Sequence, residues 1–228
     1  RANSKRLCAM EWAAKLAGEP HSDRPQCVDP AICGFMIRLN DWMDDKQGQA
    51  LKPYVLRSLG TAGDARRTVT RAMMLADWVV RTVAPRVLHH AGLAAEANEL
   101  ASLDAIIDAK TATNAHSSAS ALISAATNIL DLTLYVAAGG GAIAAYSVAT
   151  IAAYSVAAIA AYNAARATAY SVADAADAAA AAVQSAENAI EVDATTAGVT
   201  GGAIKGAEKE WLIKSALELL RRMIEVGK

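Results

Sequence analysis

Most of the side chains that could do chemistry lie in and around one loop near the start of this 228-residue chain. The reactive groups of this region are Glu11, Glu19, His21, Asp23, Cys27 and Cys33. Zinc binds three or four imidazole, thiolate or carboxylate ligands in a tetrahedral array. One conceivable set is Cys8, His21, Cys27 and Cys33, but its spacing contains no Cys-x2-Cys or His-x3-His unit. We therefore predict that no metal binds here. We expect His21 and Asp23 to hold the loop by hydrogen bonds and the cysteines to act as small core residues.

Two groups of polar residues are candidates for a binding site. The first is a polar cluster for a small molecule or a metal, enzymatic or not, made of Glu11, His21, Asp23, Asn40, Asp41 and Asp77. Separately, the residue types alone allow Cys27 as a nucleophile with His21 as its base. The second is a basic face on the fourth predicted helix, made of Arg66, Arg67, Arg71 and Arg81. The alternative for Arg66 or Arg71 is a buried pairing with the polar residues beside Leu39.

The sequence does not indicate a nucleic-acid partner or a cofactor. No aromatic residues alternate with the arginines of the basic face, and the formal net charge is −1. The run Gly139-Gly140-Gly141 is not followed by the Lys and Thr or Ser of a phosphate-binding loop. No nucleotide-binding glycine pattern and no serine elbow occurs. We therefore predict no cofactor and favour a non-enzymatic protein over an enzyme.

The elements that must position these side chains are predicted to be helices. The chain contains 56 alanines and only 5% aromatic residues. Alanine is the best helix former, whereas strands prefer β-branched and aromatic residues. We predict an all-α fold, a multi-helix bundle with an Ala-rich C-terminal half. Residues 1–110 form an amphipathic part and residues 111–228 an Ala/Tyr-rich part that packs on it, as one continuous domain.

The first half contains clear signals for helix starts and stops. Asp29-Pro30 begins a helix that ends near Asp44, because Asp caps free amides and Pro suits the first helical position. Asp64 caps a long helix that Pro85 kinks or restarts. Asp104 caps a further turn around Ile106. The long helix covers residues 65–83. The other predicted elements are helices 5–17, 46–59 and 93–103, a loop at 18–29, a turn at 60–63 and a linker at 111–118.

The second half is dominated by an eight-residue repeat that begins after a predicted helix at 118–137. Its tyrosines are Tyr146, Tyr154, Tyr162 and Tyr170. Eight residues turn an α-helix by about 800°, so these side chains spiral around it and share no single face. Residues 142–192 form either one long helix or a hairpin with its break near residues 163–168. A loop at 193–202 and an amphipathic helix at 203–226 complete the prediction.

Composition also suggests a compartment. Three cysteines, an odd number, in a chain long enough to build a core indicate a reduced, cytoplasmic setting. The 34 residues between Asp131 and Arg166 carry no charge, a length sufficient to span a bilayer. However, Ala, Gly, Ser and Thr dominate this stretch, and the residues that favour insertion are sparse. We predict a buried helix there and no membrane partner.

Short segments along nearly the whole chain carry a family resemblance. They are the run from Glu11 to Pro30, Leu39-Asn40-Asp41, Gly60 to Gly63, Ala76 to Arg81, Ala91-Gly92-Leu93 and Ser215 to Ile224. Together they resemble a bacterial family of alanine-rich proteins and, more broadly, helical immunity proteins. The resemblance implies a continuous helical protein with a variable Ala/Tyr segment, and it carries no catalytic residue.

Three functions follow, in order of preference. The first is a non-enzymatic helical protein that binds another protein or itself as a homo-oligomer, in a setting of bacterial defence or toxin neutralisation. The second is a small-molecule or metal-binding protein, enzymatic or not, that uses the polar cluster around the 18–29 loop. The third is a subunit of a helical filament or shell, with the alanine-rich segment as the contact surface.

Overall fold

A computed structural model describes residues 7–90, 94–121 and 201–228, and these residues form helices and the turns between them, with no strand. The α-helices are α1 (Ala9–Leu16), α2 (Pro30–Trp42), α3 (Lys52–Ser58), α4 (Ala65–Trp78), α5 (Ala84–His90), α6 (Ala94–Ala101), α7 (109–121) and α8 (Gly201–Glu225). A 3₁₀ turn, Gln47–Leu51, precedes α3, and a π turn, Val79–Val83, joins α4 to α5. The predicted all-α, multi-helix fold is confirmed.

The helices begin where side chains can satisfy free backbone N–H groups. Asp29 Oδ1 accepts hydrogen bonds from the N–H groups of Ala31 and Ile32, and Pro30 occupies the first helical position of α2. Asp64 caps α4 in the same way. The end of α1 is also marked as predicted, since Gly18 adopts a left-handed φ of 72° just after it. These local signals are confirmed.

One π-helical turn accommodates Pro85 within an otherwise continuous helical path from α4 to α5. Proline has no N–H group, and its ring clashes with the carbonyl four residues earlier. The helical turn just before Pro85 is wider than an α-helical turn, because the Ala84 N–H donates to the carbonyl of Val79, five residues back. Helical structure therefore continues to His90, in agreement with the prediction that Pro85 kinks or restarts the helix.

Two predictions between α6 and α7 are wrong. Residues 104–107 are not helical, and Asp108 rather than Asp104 begins the next helix, since its Oδ1 accepts from the Thr111 N–H at 2.8 Å. The predicted linker at 111–118 lies within α7. Three buried residues on one side of α7 explain this, because their contact with the core outweighs the poor helix propensity of Thr, Asn and Ser. They are Ala112, Ala115 and Ala119.

The core joins α8 to the N-terminal helices. α8 packs against α2, α3 and α4. The ring of Phe35 on α2 meets that of Trp78 on α4 edge-on at 5.9 Å, and the Trp78 Nε1–H donates to Ser215 Oγ on α8 at 2.7 Å. The predicted helix at 203–226 is confirmed, although residues 201 and 202, predicted as loop, already belong to it. Of the residues on its amphipathic pattern, Leu212, Leu219, Leu220 and Met223 are buried and Trp211 is partly buried.

Several predictions lie outside the described residues. They are the octad tyrosines, the choice between one helix and a hairpin at 142–192, the turn at Gly139 to Gly141 and the uncharged stretch between Asp131 and Arg166. Among the helices that are described, none combines the length and the apolarity needed to cross a membrane.

Candidate functional site

The structure brings two members of the predicted polar cluster together at the start of α1. His21 Nε2 lies 3.4 Å from Glu11 Oε1. The other oxygen of Glu11 accepts the Cys8 N–H at 2.6 Å, while Cys8 Sγ accepts the Glu11 N–H at 3.3 Å, so Glu11 closes a capping box. Because most of the His21 side chain is exposed, this pair lies at the surface rather than in a cavity.

A third member, Asn40, also reaches the start of α1, whereas the contacts of Asp23 and Asp77 lie elsewhere. Asn40 Oδ1 accepts the Ala9 N–H at 3.4 Å, which fixes the start of α1 against α2. The Asp23 carbonyl accepts from the Cys33 thiol at 3.4 Å, while Asp41 is exposed on α2. Asp77, on α4, has its own partners: its Oδ1 accepts from Arg81 at 3.0 Å and from the Ile106 N–H at 2.9 Å.

A carboxylate closes the 18–29 loop. Glu19 accepts the N–H groups of Gln26 and Cys27 at 2.6 and 2.8 Å. The hydrogen bond from the Cys27 thiol, followed by the one from the Gln26 N–H, lowers the pKa of Glu19 below its ordinary value. The Cys27 carbonyl in turn accepts from the Gly60 N–H at 2.9 Å. The loop is therefore held at Cys27, with Glu19 in the role that we predicted for His21 and Asp23.

The cysteines are in environments that favour the neutral thiol. Burial raises the pKa of Cys33 to about 12. Burial is also the first cause of the raised pKa values of Cys8 and Cys27, and the neighbouring Glu19 carboxylate raises that of Cys27 further. The thiolate is the nucleophile and the metal ligand, so these surroundings disfavour the nucleophilic role considered for Cys27. Within the described ranges, no group of three or more His, Cys, Asp or Glu residues is placed to hold a metal ion.

The loop gives the first testable prediction, a titration of Glu19. Because its pKa is lower in the fold than the ordinary 4.5, the loop contacts are fully formed above that value. They are lost as the pH falls through the lower, folded pKa. We expect the NMR amide shifts of Gln26 and Cys27 to titrate together with a midpoint below 4.5. Glu19→Gln should abolish the transition, whereas Glu99→Gln on α6 should leave it intact. A midpoint at or above 4.5 would contradict this assignment.

The predicted basic face is divided between the surface and the core. Arg66 and Arg67 are exposed in the first turn of α4, where Arg67 pairs with Asp64 at 3.2 Å. Arg81 is partly exposed and pairs with Asp77. Arg71 is not part of such a face, because its side chain is only 1% exposed.

Arg71 instead forms a buried ion pair with Asp29, the N-cap of α2, with Nη1 2.7 Å from Oδ2. Arg71 is therefore buried and paired, but its partner is Asp29 and not the polar residues beside Leu39 that the sequence suggested. The Thr68 hydroxyl donates to the same oxygen. Arg71 Nε donates to the Met223 carbonyl of α8 at 2.9 Å, and Nη1 also reaches the Thr61 carbonyl at 3.2 Å. One guanidinium thus ties α4, the start of α2 and the end of α8.

The spacing of Arg71 along α4 is a signal for this burial in the sequence. Arg71 lies three residues after Thr68, four before Leu75 and seven before Trp78, and all three are buried. Residues at this spacing share one helix face. The position of Arg71 on the core stripe of α4 therefore indicates a buried charge, and a buried charge requires a partner of opposite sign.

Exposed large apolar side chains occur on α1 and on α3. Within the described ranges, those exposed by more than a third are Leu7 (43%), Leu16 (44%), Leu56 (58%) and Ile107 (73%). Leu16 is the last residue of α1 and Leu56 belongs to α3, and these two helices pack against each other. Leu7 lies just before α1. This is the feature of the described surface that a protein partner would recognise most directly.

Comparison with known proteins adds no family, relative or related fold. No protein-family model matches the chain, and neither a curated protein nor a solved structure does.

Proposed function

We propose that this protein acts by binding another protein or a second copy of itself, without catalysing a reaction. The observation that carries the proposal is the exposure of Leu16 and Leu56 on two helices that pack against each other. Burying exposed leucine side chains against a partner is favourable by roughly 25 cal/mol for each Å² removed from water. The two leucines lie on neighbouring helices, and exposed apolar surface that is contiguous marks protein-binding sites.

The structural roles of three carboxylates support the same proposal. Glu11 caps α1, Glu19 closes the 18–29 loop, and Asp77 pairs with Arg81 and holds the Ile106 N–H. Each of these three carboxylates thus has a structural partner. A cytoplasmic setting is part of the proposal and is supported by the three free thiols, Cys8, Cys27 and Cys33. The resemblance to helical immunity proteins favours bacterial defence as the context of the binding.

A photo-crosslinking amino acid at position 56 tests the proposal in the cells from which the sequence comes. We expect light-dependent formation of one adduct of defined mass, because a side chain exposed in the isolated protein becomes covered in the complex. Position 107 is the matched control, since Ile107 is even more exposed but belongs to the segment between α6 and α7. Mass spectrometry of the adduct then distinguishes a second copy from another protein. No adduct at 56, or equal adducts at both positions, would contradict the proposal.

The other two predicted functions give different outcomes in simple measurements. The small-molecule or metal alternative rests on the Glu11–His21 contact, and stoichiometric zinc or iron in the purified protein would favour it over our proposal. The filament or shell alternative depends on the alanine-rich segment outside the described residues. Light scattering that rises without limit as the concentration increases would favour that alternative.

A further inference from the structure

The exposed surface of α1 and α3, two helices that pack against each other, carries both apolar side chains and lysines. We call it the α1–α3 face and define it as Trp12, Lys15, Leu16, Lys52, Pro53 and Leu56. Trp12 is half-buried and lies one turn before Leu16, whereas Pro53 is exposed and lies one turn before Leu56. Each helix therefore contributes a short apolar stripe, and each stripe has a lysine beside it.

The charge of this face is not balanced within α1 and α3. The two helices contain three cations, Lys15, Lys52 and Arg57, and one carboxylate, Glu11. Glu11 is occupied by the Cys8 N–H and by His21, and Arg57 pairs with Glu225 of α8 at 3.0 Å. Lys15 and Lys52 are exposed, and no carboxylate within the described part of the chain pairs with either. The apolar stripes are thus flanked by two ammonium groups available to a partner.

Resting on the proposed function, we infer that the α1–α3 face binds an acidic amphipathic helix of another protein. Such a helix would place its apolar side chains on Leu16 and Leu56 and its carboxylates beside Lys15 and Lys52. A second copy of this chain fits less well, because a two-fold symmetric contact presents the same patch on both subunits. The lysines of the two copies would then approach each other, and like charges across an interface are unfavourable.

A pair of synthetic peptides tests the inference. The first is a helical peptide of leucine–glutamate heptads with a fluorescent label, and the second has lysine in place of each glutamate. We expect fluorescence anisotropy to show saturable binding of the acidic peptide only. Because charge pairs at a rim are screened by salt, the affinity for this peptide should fall as the ionic strength rises.

Variants at the surface identify the site. Leu56→Ser and Lys52→Glu should each weaken the acidic peptide about tenfold or more, which corresponds to about 1.4 kcal/mol. Ile107→Ser and Lys110→Glu are the matched controls, since both residues are exposed and belong to segments other than α1 and α3, and they should leave the affinity unchanged. Equal binding of the two peptides, or equal loss in the control variants, would overturn the inference.

Sedimentation equilibrium of the unlabelled protein separates this inference from the proposed function. A dimer that Leu56→Ser converts to a monomer would show that a second copy occupies the face, which overturns the inference and keeps the proposed function. An adduct with another protein at position 56, without affinity for the acidic peptide, would also overturn only the inference. Failure of the crosslinking experiment would overturn both.

Discussion

Arg71→Ala is expected to lower the free energy of unfolding by about 3–5 kcal/mol, the range measured when one partner of a buried ion pair is removed. Asp29 would remain in the core without its cation, since its side chain has no exposed surface. The carbonyls of Met223 and Thr61 would also lose a donor. Urea unfolding followed by circular dichroism at 222 nm measures the change.

The matched control is Arg66→Ala, on the same helix. Arg66 is exposed, and surface substitutions of this kind usually change stability by less than about 0.5 kcal/mol. A loss of stability for Arg71→Ala as small as that for Arg66→Ala would show that the buried pair does not join the three segments.

A double variant separates the charge from the packing. Asn at position 29 retains an oxygen that can cap α2, and Met at position 71 fills much of the space of the arginine side chain. The combination Asp29→Asn with Arg71→Met should therefore be less destabilised than the sum of the two single variants, because no unpaired charge remains buried. Hydrogen exchange should report the remaining cost at the last turn of α8, where the Met223 carbonyl loses the Nε donor.

The helix boundaries that the sequence predicted correctly depend on neighbours close in the chain. Asp29 and Asp64 cap helices within three residues, and Gly18 ends α1 locally. The apolar residues Ile32, Phe35, Met36 and Leu39 of α2 also recur every three or four residues, a spacing that indicates that Phe35 is buried. Such patterns are legible in one sequence because the interacting residues are at most one or two turns apart.

The predictions that failed depend on residues far apart in the chain. Arg71 pairs with Asp29 across 42 positions and with the Met223 carbonyl across 152. The 111–118 segment reads as a linker by composition, and it is helical because its alanines pack against the core. The predicted polar cluster rests on residue types alone. In the structure, Asp77 contacts Arg81 and the Ile106 N–H rather than Glu11 or His21. The spacing of residues within one segment contains no information on which distant segment supplies the partner of a buried side chain.

Phe35→Ala is expected to destabilise the protein by about 3–5 kcal/mol, the usual cost of removing a large aromatic side chain from a core. Phe35 is the single phenylalanine of the chain and is fully buried at the contact between α2 and α4. Its removal leaves a cavity beside Trp78, whose indole N–H reaches Ser215 of α8. The cavity therefore lies at the junction of three helices, where collapse of one wall would disturb the other two.

Phe35→Leu is the matched control, because it keeps a large apolar side chain and loses only part of the ring volume. Swaps that keep most of the volume usually cost less than about 1.5 kcal/mol. We expect the alanine variant, but not the leucine variant, to shift tryptophan emission to longer wavelength, since water reaches the buried indole of Trp78. Equal losses of stability in the two variants would mean that ring geometry, rather than filled volume, holds α2 against α4. In that case the edge-on contact with Trp78, and not the general packing of the core, would set the angle between these helices.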